Sequence, residues 1–150
     1  HIVHGQVVEF ETLDGLGVNL HRAFQGETKK LIDNHQPAFP AYMDVKAKAS
    51  IRIQALPCPC SLTGLQICGI GDYTRQFMSL RSNKDATSIS KGKLARTVAK
   101  EVKKLMVSDV LRVPDVGDFR MEEIYLTSLV RVSRGSWQPE LRVPAPDANL

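Results

Sequence analysis

The alternation of apolar and polar positions divides the chain into strand-like and helix-like stretches. The clearest strand runs from Met43 to Ala55. Its odd positions are apolar (Met43, Val45, Ala47, Ala49, Ile51, Ile53, Ala55), and its even positions are polar (Asp44, Lys46, Lys48, Ser50, Arg52, Gln54). Successive side chains on a strand point to opposite faces, so this pattern sets one face on a core and the other in water. A sheet with one wet face favours antiparallel pairing, because parallel sheets are covered on both sides. Pro57 and Pro59 end the strand, since neither can donate to a ladder. Leu62 to Ile70 is expected to be a neighbouring strand, stopped by Gly69 and Gly71. Nearer the start, residues 6–13 (QVVEFETL) read as a strand, and Asp14-Gly15-Leu16-Gly17 supplies turn chemistry. Residues 18–42 carry no clean period. Lys29 to Asn34 reads as a short helix, and Gln36 to Pro40 as loop.

The period changes after residue 90. Leu94, Val98, Val102, Leu105 and Met106 recur at helical spacing, which predicts a helix from about Lys91 to Val107. Ser88 or Ser90 would cap it, after a polar, loop-like stretch over 82–90. On the opposite side Lys93, Arg96, Lys100, Lys103 and Lys104 fall within an arc of roughly 100°. Beyond a loop holding Pro114 and Gly117, Glu123 to Val132 reads as a strand. Ser133-Arg134-Gly135-Ser136 reads as a turn, and Trp137 to Val143 as its hairpin partner. Pro139 places that partner at a sheet edge.

Strands, one long amphipathic helix and more strands make an α+β domain. The expected architecture is a mostly antiparallel sheet with the helix packed on one face. The domain covers residues 1–143, with 144–150 as a flexible C-terminal tail.

Composition narrows this only a little. The chain has 150 residues, 43% apolar and 24% charged, which is ordinary for one globular domain. The pattern predicts neither a membrane span nor a signal peptide. A chain opening on His1 rather than Met is expected to have been processed or cut at that end. Three cysteines (Cys58, Cys60, Cys68) argue against a disulfide framework and for a reducing, intracellular setting, cytoplasmic or nuclear.

Charge changes the picture more. The net charge is +4, but Lys84 to Lys104 alone holds seven basic and two acidic residues. The basicity is therefore local, and it sits on the predicted helix. Lys93, Arg96, Lys100, Lys103 and Lys104 are the candidate nucleic-acid contacts. Cations on one stripe can neutralise phosphates, and phosphate contacts dominate affinity for DNA and RNA. The blander reading is a solvated outer helix face. Lys46, Lys48 and Arg52 on the wet strand face could join this patch only around a sheet edge, because the helix turns its cations away from the wet face.

Other chemistry finds less support. Cys58-Pro59-Cys60 with Cys68 has too tight a spacing for a zinc site and lacks a near fourth ligand, so neither metal nor cofactor is expected. His21 and His35 can be drawn beside a cysteine, but no catalytic motif accompanies them. Gly69-Ile70-Gly71 lacks the third glycine of a dinucleotide loop. Asp115 with Asp118, and Glu122 with Glu123, are close carboxylates that read as solvated loop charges.

The leading expectation is a non-catalytic binding module for DNA or RNA. An alternative is a protein-interaction or self-assembly domain, using an exposed strand edge around Trp137, Arg134 and Tyr125. A second alternative is an enzyme without a legible motif. No membrane partner is expected.

Overall fold

Glycine at a tight turn, a capped helix and two long terminal strands set the frame. The computed structural model describes residues 6–15, 17–43, 45, 48–53, 60–61, 64–67, 73–78, 80–82, 87–106, 108–113 and 117–144. In chain order these form β1 (Val7–Glu9), β2 (Val18–Asn19), helix α1 (Leu20–Phe24), a 3-10 turn (Ala41–Met43), β3 (Lys48–Ile53) and β4 (Cys60–Ser61). There follow β5 (Gly64–Ile67), β6 (Tyr73–Met78), β7 (Leu80–Ser82), β8 (Thr87–Ser88) and helix α2 (Lys91–Leu105). The last elements are β9 (Leu111–Val113), β10 (Gly117–Phe119), a second 3-10 turn (Met121–Glu123), β11 (Tyr125–Ser133) and β12 (Ser136–Pro144).

The fold is α+β, with a mostly antiparallel sheet and α2 packed against it. The main sheet runs β1-β11-β12-β3-β6, with β2 also on β11, β5 on β12 and β4 on β5. Every pairing in it is antiparallel except β12 with β3, which is parallel through Ser136↔Ser50 and Trp137↔Ile51.

The β11–β12 hairpin is the spine, and Arg134 and Gly135 form its turn. Pro139 does not mark an edge, because β12 has neighbours on both sides. It faces Leu129 of β11, and on the other side it falls between the stretch paired with β3 (Ser136, Trp137) and the stretch paired with β5 (Leu141 to Pro144). Proline's missing N–H is tolerated where one neighbour stops and the next begins.

A register shift between Leu126 and Ser128 leaves Thr127 without a partner residue on β12. Such a bulge flips the inward parity of a strand. Leu126 is buried before it, and Leu129 and Arg131 are buried after it. Gly17 closes against this point with φ +58, and a Cβ there would lie 2.6 Å from the Leu126 carbonyl oxygen.

The phase of the clearest strand is as expected: Ala49 and Ile51 are buried and Lys48 is exposed. Its start is later, because Met43 lies in a 3-10 turn and reaches the core from there. The strands bonded to β3 are β12 and β6, so the stretch around β5 pairs with β12 instead. The expected helix at Lys29 to Asn34 is a set of turns. Leu13 N–H donates to the Lys30 carbonyl, Ile32 N–H donates to that of Glu11, and Asp33 adopts φ 60. The short helix lies earlier, at α1. The 82–90 stretch contains β8, and the loop around Gly117 is a β9–β10 hairpin. Pro144 belongs to β12, paired with Gly64, while residues 145–150 lie outside the described residues.

The core sits between α2 and the sheet. Leu94, Ala95, Val98, Ala99 and Val102 are all fully buried, together with Leu20 and Ala23 of α1. Alanines on both helices let them approach closely. Trp137 is buried against Phe39, with ring centroids 5.0 Å apart. The Arg131 guanidinium lies 5.3 Å from the Trp137 ring. It donates to Gln6 Oε1 at 2.8 Å and to the carbonyls of Met43 and Arg134. No helix among the described residues is long and apolar enough to cross a membrane.

Candidate nucleic-acid interface

The outer face of α2 is built by its own periodicity. Burial of the apolar stripe fixes the rotation of the helix and turns Lys93, Arg96, Lys100 and Lys104 into water as exposed side chains. Lys103 lies at the border and is half-buried. All five cations expected on one face are on that face.

Two of the five are engaged within the molecule. Lys103 Nζ lies 2.9 Å from Asp109 Oδ1 and 5.7 Å from the Phe24 ring centroid. Lys104 Nζ lies 3.0 Å from Glu101 Oε1, one helical turn away. Their attraction shows on the acid: the hydrogen bond from Lys103, reinforced by its charge, holds the Asp109 carboxyl below the ordinary aspartate range. Lys93, Arg96 and Lys100 have no acidic partner within ion-pair distance among the described residues. From Lys93 to Lys104 the stripe spans roughly 16 Å of helix axis. One nucleic-acid strand carries a phosphate every ~3.4 Å of axis, so the stripe faces several.

The start of α2 adds no anion site of its own. Lys91 N–H donates to the Gln36 carbonyl and Gly92 N–H to that of Asn34, each at 3.0 Å. Lys93 N–H donates to Ser90 Oγ at 3.3 Å, as expected for a serine cap. The free N–H groups that make a helix start attract phosphate are used internally, so side chains alone carry the positive field.

The second candidate surface does not assemble. Trp137 is fully buried, Arg134 is exposed on the hairpin turn, and Tyr125 lies at the far end of β11 from that turn. The expectation of an exposed edge at Trp137 is corrected: β3 covers β12 at that residue. Lys48 is exposed on β3, while Lys46, Cys58 and Cys68 lie outside the described residues.

A cleft of about 1020 Å³ opens between α1, the 26–31 turn and the end of the β2–β11–β12 layer. Asn19 organises its mouth. Its side chain caps α1 by accepting from His21 N–H at 3.0 Å, and its Nδ2 donates to the Glu122 carbonyl at 2.8 Å. His21 Nδ1 lies 3.4 Å from Glu122 Oε1, and Lys30 Nζ lies 3.2 Å from Asp14 Oδ2. Arg22 and Lys29 also line the cleft, exposed and with no acidic partner among the described residues. Periodicity could not reveal this cleft, because its walls come from residues 12–31, 122–127 and 142–143.

Set against known proteins, the chain matches no family model, no curated protein and no solved structure.

Proposed function

We propose that the chain is a non-catalytic binding module that holds nucleic acid by its phosphate backbone on the outer face of α2. The observation that supports this is the stripe itself. Four exposed cations occupy one helical face, and three of them have no acidic partner among the described residues. A solvated face of a soluble helix ordinarily mixes both signs, so that i,i+4 pairs stabilise it. This one carries only cations and Thr97. Lys93, Arg96 and Lys100 make the main phosphate contacts. Lys103 and Lys104 contribute less, because binding must draw them from Asp109 and Glu101. Such contacts set position without reading sequence. With a DNA or RNA partner, this reading implies an intracellular setting, cytoplasmic or nuclear.

The test is affinity for a generic duplex and a generic single strand across a salt series. Each phosphate contact contributes about 0.9 to the log–log salt slope on a duplex. The double variant Lys93→Glu/Lys100→Glu should weaken binding on every sequence and flatten the slope by about 2 units. Both residues are exposed, so the fold is retained. A slope identical to that of the parent protein would end this reading.

A further inference from the structure

The basic face of α2 and the cleft are neighbours. A methyl group built on Gly26 would meet the Arg96 guanidinium at 3.7 Å, so Arg96 lies over the Gly26 backbone. Gly26 also lines the cleft. With φ +82 and no side chain, it forms a low saddle between the two. Arg96 stands on the helix side of this saddle, and Arg22 and Lys29 stand on the cleft side.

We propose that the cleft seats a nucleotide of a single-stranded nucleic acid whose phosphates run along α2 and cross at Gly26. This rests on the reading of α2 given above and names the form of ligand. Four observations support it. First, the cations continue across the saddle, so a backbone leaving Arg96 meets Arg22 and Lys29 next. Second, of the cleft's three carboxylates Asp14 is paired with Lys30 and Glu122 lies against His21, so Glu27 is the one acid without an ion pair among the described residues, facing Arg22, Lys29 and Lys30 in the same lining. Third, the walls include Val18, Leu31, Val143 and Tyr125. An aromatic ring beside apolar walls is what a base stacks on, whatever its sequence. Fourth, the volume of about 1020 Å³ is just above the ~300–1,000 Å³ range of organic-ligand pockets, which is room enough for a nucleotide. A duplex keeps its bases stacked inside and cannot offer one to the cleft without flipping it out. The cleft therefore favours a single strand.

The experiment uses the whole chain with a fluorescent single-stranded 12-mer, the matching duplex, and a single strand carrying 5-iodouridine for photo-cross-linking. The expected result is tighter binding of the single strand, with the cross-link on Tyr125. Tyr125→Thr keeps a strand-forming residue and should lower single-strand affinity about fivefold or more while leaving the duplex unchanged. Tyr125→Phe should restore it. Lys29→Glu, on an exposed residue, should act in the same direction even if Tyr125→Thr fails to fold. Equal affinity for both forms, with single-strand binding unaltered in Lys29→Glu and the cross-link confined to α2, would overturn the cleft proposal and leave the α2 reading standing. If neither form binds, or binding ignores Lys93→Glu/Lys100→Glu, the α2 reading fails and this proposal falls with it.

Discussion

Two residues carry more of the architecture than their types suggest. Arg131 is a buried cation whose guanidinium reaches three separated segments: Gln6 before β1, Met43 in the first 3-10 turn and Arg134 in the hairpin turn. Charge-assisted hydrogen bonds of this kind are worth more than neutral ones, and they compensate for the desolvation of the charge. Gly17 acts through what it lacks. Its positive φ suits glycine, and the Leu126 carbonyl fills the space where a Cβ would stand. Gly17→Ala combines backbone strain with a clash against main chain that cannot swing aside. It should lower stability by at least about 2 kcal/mol, read as a reduced urea midpoint with an unchanged m-value. Gly17 and Leu126 also position β2 beside the cleft, so the variant should disturb single-strand binding more than duplex binding.

At the scale of elements, α2 was fully legible and the cleft was not. The helix announced itself because the same residues that repeat at 3.6 bury its inner side: Leu94, Val98 and Val102 are all in the core. The terminal hairpin was equally plain, with its turn at Arg134 and Gly135. Pro139 reads as an edge residue in the sequence, yet β12 is an inner strand that changes neighbours there. The 29–34 turns were misread because their backbone partners lie at 11–13, a pairing that no local pattern encodes. The ion pair at the far end of α2 was also hidden, since Asp109 reaches Lys103 only by entering the left-handed region at φ 62. That pair gives a pH signature. Asp109 titrates lower in the folded chain than in the unfolded one, chiefly through its hydrogen bond from Lys103. The stability it contributes is therefore present above the ordinary aspartate range and lost as pH falls through the lower folded value. In Lys103→Met the Asp109 carboxyl should titrate back near the ordinary range, a rise measurable by carboxyl-carbon NMR titration. Binding of a phosphate polymer to Lys103 should move the same signal in the same direction.

The whole molecule depends on where its last strands go. β11 and β12 sit in the middle of the main sheet, with β1 on one flank and the β3–β6 pair on the other. The parallel contact of Trp137 with Ile51 joins residues far apart in sequence. A chain cut after residue 133 lacks β12, so the β3–β6 and β4–β5 pairs are detached from β11 and the pocket for Phe39 loses Trp137. Such a fragment should show no cooperative thermal transition by circular dichroism, although α2 is intact within it. The arrangement also orders events in time. On the ribosome β3, β5 and β6 emerge before β12 exists, so the edges of β3 and β5 that later bond β12 are bare hydrogen-bonding rims until it follows. Holding the nascent chain until β12 has followed should raise the folded yield, and slow codons between β6 and β12 would lengthen the interval in which the β3 and β5 edges stand bare.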